Sequence, residues 1–197
     1  EAGIDIISGM MAMAREDYST LQSIAITGGV RRDETWPENL EHAKHVADLA
    51  GREHIPLVTF HAGFLPHVST DHTRGHMLDR LGTIADLLQT RGVSLAFETG
   101  QEAAETLIDV LENLNKPNVG VNFDPANMIL YGMGDPVEAL SVLAPYVRQV
   151  HVKDAAPTDT PSTWGTEMPV GLGTVDWPRF FEAAKLIQPA VNFVIER

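Results

Sequence analysis

Val119-Gly120-Val121-Asn122-Phe123-Asp124 is an apolar run of strand length that ends on a carboxylate. Three other short segments repeat this design and finish an apolar run with Glu or His, at residues 93–98, 148–151 and 192–196. Continuous apolar runs of this length are typical of strands that are buried on both faces in a parallel sheet. In a parallel βα barrel the carboxyl ends of all strands surround one mouth, so the last residues of these segments are expected to meet there.

Segments with the helical spacing of apolar residues alternate with these strands. We predict helices at residues 38–51, 73–91, 103–114, 135–143 and 177–187, and two earlier strands at residues 4–7 and 56–61. Long loops are expected at residues 18–32, with a helical turn, and at residues 155–175. The alternation indicates an α/β fold in which helices cover a parallel sheet.

The number of predicted strands fits part of a TIM barrel. We expect six strands, whereas a closed (β/α)8 barrel has eight strands and about 250 residues. The sequence therefore predicts a single TIM (β/α)8-barrel domain over residues 1–197 that lacks the first two βα units and the last helix, as a fragment of a barrel would.

The composition is that of an ordinary globular domain. The 197 residues are 44% hydrophobic, which is enough for a substantial core. There is no cysteine, which excludes disulfides, thiolate metal sites and cysteine nucleophiles. A net charge of −13 argues against nucleic acid as a partner, because the surface repels phosphate backbones. The sequence has no apolar stretch of bilayer length and no signal-peptide pattern, so we expect no membrane partner and a cytoplasmic location. A homo-oligomer is compatible with the sequence.

The strand-end residues form a candidate metal site. Carboxylates at the ends of buried strands require a cation or hydrogen-bond donors nearby. The alternative is that each carboxylate caps the following helix or pairs with a surface lysine, but four such endings favour a shared site. Three carboxylates and one imidazole are suited to a hard divalent cation. The predicted ligands are Glu98, Asp124, His151 and Glu196.

Two further residues are candidates for contact with a substrate. His61 ends its own strand and is expected to face the same mouth, the alternative being a hydrogen-bonded core histidine. Lys153 lies two residues after His151, so strand alternation turns both side chains to one side. A lysine there can hold a substrate hydroxyl or phosphate oxygen, or it can form a structural ion pair. Trp164, in the second long loop, is either a packing residue or part of a lid.

Five motifs, in this order, give the chain a family resemblance. They are His61-Ala62-Gly63-Phe64, Asn122-Phe123-Asp124-Pro125-Ala126-Asn127, Val150-His151-Val152-Lys153-Asp154-Ala155, Gly171-Leu172-Gly173-Thr174-Val175-Asp176-Trp177 and Ile195-Glu196-Arg197. With them the chain resembles the sugar phosphate isomerase/epimerase superfamily, the xylose-isomerase-like TIM barrels, from the third strand to the eighth. The resemblance implies that the four predicted ligands bind one divalent metal ion, and that Glu98 and Glu196 also act as acid and base.

One departure from the family pattern bears on the number of metal ions. Members that resemble ketose 3-epimerases often have a histidine three residues after the aspartate, where this chain has Asn127, so the resemblance places Asn127 beside the substrate. The multi-zinc endonuclease branch also has that histidine, together with an Asp-x-His pair that does not follow His151 here. We therefore expect one metal ion, with Mn²⁺ ahead of Mg²⁺, Co²⁺ and Zn²⁺.

The chemistry of such a site agrees with sugar isomerisation. A divalent ion can take the carbonyl and neighbouring hydroxyl oxygens of a ketose and stabilise enediolate charge. Carboxylates can then remove and return a proton at the carbon beside the carbonyl. We expect an enzyme of carbohydrate metabolism, a metal-dependent isomerase or epimerase of a small sugar, polyol ketone or hydroxy-keto acid. The alternatives are an inosose-type dehydratase, an endonuclease-like phosphodiesterase and an inactive binding module.

Overall fold

The computed structural model describes residues 3–68 and 70–196. In chain order the elements are strand β1 (Gly9–Met10), helices α1 (Leu21–Thr27) and α2 (Trp36–Arg52), β2 (Leu57–Phe60), α3 (His72–Gln89), β3 (Ser94–Glu98), α4 (Ala104–Leu114), β4 (Val119–Phe123), α5 (Pro125–Tyr131), α6 (Pro136–Leu143), β5 (Val147–Val152), β6 (Asp154–Ala156), β7 (Thr166–Met168), α7 (Trp177–Ala184) and β8 (Asn192–Ile195). A short 3₁₀ helix, Ala144–Tyr146, joins α6 to β5.

The main sheet is parallel and confirms the predicted α/β barrel architecture. Over the described ranges it has six strands in the order β1-β2-β3-β4-β5-β8, which form half of a barrel. All six point the same way, so their carboxyl ends lie along one edge of the sheet. The remaining two strands, β6 and β7, form a separate antiparallel hairpin within the long loop predicted at residues 155–175.

The core lies between this sheet and its helices. Strands β2 and β4 are buried at every position, which explains why their sequences are continuous apolar runs without alternation. Phe60 and Phe97 occupy paired positions on neighbouring strands and pack edge to face with ring centroids 5.7 Å apart. Helix α3 covers the sheet with the apolar stripe expected from its spacing, including the fully buried Leu81 and Ile84. No helix in the described part of the chain is long and apolar enough to cross a membrane.

The prediction of a strand at residues 4–7 was wrong. Ile4 and Ile6 are 79% and 55% exposed, and the strand that pairs with β2 is Gly9–Met10. The backbone N–H of Met11 then continues the pairing by donating to the carbonyl of Thr59 at 2.8 Å. An apolar tetrapeptide resembles a buried strand in sequence, whereas a two-residue edge strand has no period to detect. The first strand of the sheet therefore begins later in the chain than the sequence predicted.

Helix α1 is the helical turn expected within the first long loop, α5 was not predicted, and the ends of the predicted helices differ from the observed ones by up to three residues. Helix α1 lies in the first predicted loop, and α5 follows β4 directly. Asp124 begins α5, because its Oδ1 accepts hydrogen bonds from the backbone N–H groups of Ala126 and Asn127. Helix α2 extends one residue beyond the predicted stop, and α7 ends at Ala184, three residues before the predicted end.

Asp154 fixes the long loop that joins the hairpin to α7. It is 1% exposed, and its two carboxylate oxygens accept hydrogen bonds from the indole N–H of Trp177 at 2.9 Å and from four backbone N–H groups. Those backbone donors are Ala155, Gly171, Gly173 and Val175. A Cβ atom on Gly173 would lie 2.1 Å from Oδ1 of Asp154, so glycine is required there. The loop is therefore wrapped around one buried carboxylate.

Candidate metal centre

Four neighbouring strands deliver the predicted ligands to one point. Glu98 is the last residue of β3, Asp124 and Glu196 directly follow β4 and β8, and His151 is the last residue but one of β5. One ligand atom from each side chain can be chosen so that all four lie within 4.8 Å of one another. We call this group, Glu98, Asp124, His151 and Glu196, the four-ligand cluster. Among the described residues it is the one such group of three or more His, Asp or Glu side chains.

The electrostatics of the cluster reflect an excess of carboxylates in a buried place. Burial and the charge of Asp124 raise the pKa of Glu98 to about 7. The neighbouring His151 lowers the pKa of Glu196 to about 2. Burial lowers the pKa of His151, but the carboxylates of Asp124 and Glu196 outweigh it and raise that pKa to about 10. The three carboxylates of the cluster therefore favour a positive charge among them.

The donor atoms of the cluster fit a divalent cation. Oδ2 of Asp124, Nδ1 of His151 and Oε2 of Glu196 are buried, and within the described structure none of them hydrogen-bonds to a group outside the cluster. They face one another instead: Nδ1 of His151 is 3.5 Å from Oδ2 of Asp124 and directly contacts Oε2 of Glu196. Buried polar atoms that converge in this way without outside partners could all be satisfied by one coordinated cation. Oxygen-rich donor sets of this kind suit Mn²⁺ and Mg²⁺.

Amide side chains behind the cluster orient two of its members. The amide nitrogens of Asn122 and Gln149 lie 3.1 and 3.4 Å from Nε2 of His151, which turns Nδ1 toward the carboxylates. Asn122 also donates a hydrogen bond to Oε2 of Glu98 at 3.3 Å. Partners of this kind hold metal ligands in position and tune their affinity. Neither amide was predicted as a site residue, although each lies two positions before a predicted ligand.

A cavity of about 300 Å³ opens beside the cluster and is lined by Glu98 and Glu196. The three predicted substrate-contact residues line it as well: His61, Asn127 and Lys153. Nε2 of His61 is 3.7 Å from Oε1 of Glu98, and burial lowers the pKa of this imidazole. The cavity therefore brings together the site residues predicted from the sequence. Part of its wall is formed by other residues, which were not predicted.

Lys153 faces carboxylates on several sides. Its Nζ is 3.3 Å from Oε1 of Glu196, 3.7 Å from Oδ2 of Asp124 and 3.2 Å from Oε1 of Glu167. Burial lowers the pKa of Lys153, but these carboxylates raise it above the ordinary value for lysine. The ammonium group is therefore charged at every physiological pH and keeps donors available beside the cluster.

The other residues of the cavity wall come from loops, from the end of helix α5 and from the hairpin. Tyr18 follows β1, Tyr131 ends α5 and Glu167 lies in β7. Trp164 also lines the cavity and packs edge to face on Tyr131 with ring centroids 4.8 Å apart, which fits the lid interpretation of this residue as well as the packing one. Residues in such segments lack periodicity, so the sequence carried no signal for Tyr18, Tyr131 or Glu167.

Comparisons with known proteins agree on the fold. The family model described as "Xylose isomerase-like TIM barrel" matches residues 6–197. The crystal structure of a xylose isomerase domain protein from Planctomyces limnophilus is 33% identical, with a TM-score of 0.94, and the match covers 99% of this chain and 71% of that one. A search of curated proteins found no match.

Two more distant structures share the fold alone. A xylose isomerase-like TIM barrel protein from Mycobacterium smegmatis, in complex with magnesium, is 18% identical with a TM-score of 0.71, over 95% of this chain and 65% of that one. An L-ribulose 3-epimerase is 16% identical with a TM-score of 0.69, over 99% of this chain and 67% of that one. The chain thus spans 65% to 71% of the length of these three proteins.

Proposed function

The chain belongs to the xylose isomerase-like TIM-barrel family, and we propose that it is a divalent-metal-dependent isomerase or epimerase of a small sugar, polyol ketone or hydroxy-keto acid. The observation that carries this proposal is the position of Glu98 and Glu196. Both contribute to the four-ligand cluster and both line the cavity beside it. A carboxylate that reaches both a metal ion and a substrate can transfer a proton at the carbon beside a carbonyl that the metal polarises.

The metal ion we propose is Mn²⁺ or Mg²⁺, coordinated by the four-ligand cluster. When bound, it supplies a Lewis acid that polarises a carbonyl and offsets the negative charge that develops on its oxygen. The proposal is supported by the three buried donor atoms without partners outside the cluster and by the fold shared with a protein whose structure contains magnesium. Co²⁺ and Zn²⁺ are accepted by the same ligand types and are the alternatives to test.

Side chains of the protein carry out proton transfer and substrate binding in the proposed reaction. Glu98 and Glu196 come from strands that are separated in the sheet by β4 and β5, so they approach a substrate from different directions. One removes a proton from the carbon beside the carbonyl, and the other returns one. Asn127 and Lys153 present donors to the cavity, where they bind and orient substrate oxygens. His61 closes the wall next to Glu98.

The test combines metal analysis with proton exchange. The purified protein is stripped of metal, reloaded with Mn²⁺ and incubated in deuterated water with a panel of ketoses. We expect about one metal ion per chain, and deuterium uptake at the carbon beside the carbonyl that is lost on chelation and restored by Mn²⁺. Three zinc ions per chain with phosphodiester cleavage would refute the proposal, as would a dehydrated product without a deuterated ketose.

A further inference from the structure

Glu167 is a cavity carboxylate that the proton-transfer chemistry does not use. It lies in β7 of the hairpin, its side chain is 53% exposed, and its Oε1 is 3.2 Å from Nζ of Lys153. It is not a member of the four-ligand cluster. Its position in the wall therefore bears on what can enter the cavity rather than on how the metal is held.

The backbone of the hairpin fixes the position of Glu167. Glu167 pairs with Ala155 across the hairpin, and Ala155 belongs to the segment held by the buried carboxylate of Asp154. The N–H of Gly165 donates to the carbonyl of Leu130 at 3.3 Å, and a Cβ atom on Gly165 would lie 2.6 Å from the carbonyl oxygen of Ala156. The hairpin therefore packs tightly on α5 and forms a wall rather than a free loop.

Glu167 determines the net charge of the cavity. A divalent ion and the ammonium group of Lys153 together balance the three carboxylates of the four-ligand cluster. Glu167 then adds one negative charge to the cavity wall in excess of that balance. The charge of Lys153 is already offset by the nearby carboxylates of Glu196 and Glu167, so its ammonium can donate to a neutral oxygen but adds little net attraction for an anion. A phosphoryl or carboxylate group next to this wall would be repelled.

A hydroxyl group would be favoured at the same place. Glu167 is an acceptor whose side chain is 53% exposed, and the rings of Tyr131 and Trp164, which line the same cavity, offer apolar faces to the carbon skeleton of a polyol. We propose that Glu167 is a specificity-determining residue that accepts a hydrogen bond from a hydroxyl of an uncharged substrate and excludes the phosphorylated or acidic equivalent. This inference rests on the proposed function, because it narrows the substrate of that same site to a non-phosphorylated ketose.

The test compares matched pairs of sugars by equilibrium binding. D-fructose and D-fructose 6-phosphate, and D-ribulose and D-ribulose 5-phosphate, are titrated into the Mn²⁺-loaded protein and followed by calorimetry. We expect the wild-type protein to bind at least one free ketose about tenfold more tightly than its phosphate. The isosteric variant Glu167→Gln should reduce that preference at least about fivefold, because the amide keeps an acceptor but removes the charge. Glu182→Gln, at an exposed residue of α7, is the matched control and should keep the wild-type preference.

The outcomes separate this inference from the function on which it rests. Equal or tighter binding of a phosphorylated ketose by the wild-type protein, with deuterium exchange intact, overturns the role of Glu167 and leaves the isomerase proposal standing. An unchanged preference in Glu167→Gln, with a wild-type thermal midpoint, also overturns it. If the metal-loaded protein neither binds nor exchanges any ketose, the proposed function fails, and this inference fails with it.

Discussion

The side chain of Asn127 donates a hydrogen bond from Nδ2 to Oε1 of Glu98 at 2.9 Å. This contact ties the first turn of α5, which Asp124 caps, to the end of β3, which carries Glu98. The close approach depends on Gly100, whose φ of +133° and missing Cβ leave room for Asn127. A Cβ atom at residue 100 would lie 2.6 Å from that of Asn127. The amide therefore supports the carboxylate that is most deeply set in the cavity wall.

Replacing Asn127 with Ala should weaken metal binding without unfolding the protein. The change removes the donor that holds Glu98 and leaves the cluster itself intact, and losses of such supporting contacts typically reduce metal affinity by about tenfold or more. Mn²⁺ affinity measured by calorimetry checks this. Asn113→Ala, at an exposed position of α4, should leave the affinity unchanged. Equal affinities in both variants would show that Asn127 does not support the ligand.

Replacing Asp124 with Asn should destabilise the fold less than replacing it with Ala. One carboxylate oxygen caps α5, whereas the other belongs to the cluster. Asp124→Asn keeps an oxygen for the cap but loses the charge, so we expect metal affinity to fall by at least about a hundredfold while unfolding stays cooperative. Asp124→Ala should lose the cap as well, at a further cost of about 1 kcal/mol in the free energy of unfolding. Denaturant unfolding of the two metal-free variants checks the difference, and equal stabilities would contradict the double role.

The two glutamates of the cluster should each be necessary for proton exchange. Glu98→Gln and Glu196→Gln keep an amide oxygen that can still coordinate a metal ion, but neither amide can accept a proton at neutral pH. We expect each variant to lower the rate of deuterium incorporation by about 10² to 10⁴ while some metal binding is retained. Glu182→Gln again serves as the control. Near wild-type exchange in either cluster variant at full metal occupancy would show that a group other than that glutamate transfers the proton.

His61 should act on the substrate more than on the metal. Its ring lines the cavity and approaches Glu98 without being a member of the cluster. We expect His61→Ala to raise KM by about tenfold, with Mn²⁺ affinity close to that of the wild type. His45→Ala, at an exposed position of α2, is the control. A loss of metal affinity as large as that of Asp124→Asn would instead make His61 part of the metal site.

Asp154 should make the stability of the protein depend on pH. Burial raises its pKa, but the hydrogen bonds from Trp177 and from backbone N–H groups outweigh this and hold the pKa below the ordinary value of 3.8. A carboxyl group whose pKa is lowered on folding stabilises the folded state above its unfolded pKa, and this stabilisation is lost as the pH falls through the folded pKa.

The variant Asp154→Asn measures that contribution. At pH 7 it should lower the free energy of unfolding by about 2 kcal/mol, because an amide cannot accept from all the donors that surround the carboxylate. The difference between wild type and variant should shrink below pH 4, as the wild-type carboxylate takes up a proton. Denaturant titrations at pH 7 and pH 3 check this, and a difference that does not change with pH would assign the effect to packing.

The sequence predicted the parts of the fold that are buried on both faces. Strands β3, β4 and β5 were predicted close to their observed ends, because a continuous apolar run that stops at a polar residue is typical of a strand in a covered parallel sheet. The same criterion misplaced the first strand, since the exposed Ile4 and Ile6 look like core residues in sequence. Helix α5 was missed because seven residues are too few for a helical period, although Asp124 followed by Pro125 is a recognisable start.

The candidate site likewise has a part that the sequence predicted and a part that it did not. Its four ligands and its three predicted contact residues lie on or next to regular strands and the start of a helix, where spacing places them. Tyr18 and Glu167 reach the cavity through a loop and a short hairpin, and Tyr131 lies at the end of the short helix α5. The paths of these segments depend on tertiary contacts such as the one from Gly165 to Leu130, which no local pattern encodes. The convergence of the four-ligand cluster was therefore predictable from the sequence, and the rest of the cavity wall was not.

The order of the ligands along the chain has a consequence for biosynthesis. The cluster takes its members from residues 98, 124, 151 and 196, and the last of them follows β8, the strand that pairs with β5 at one edge of the sheet. A nascent polypeptide emerges from the ribosome in that same order. Until residue 196 has been translated and β8 has docked, the growing chain offers at most three of the four donors. The complete set of four donors therefore forms only after β8 has paired with β5.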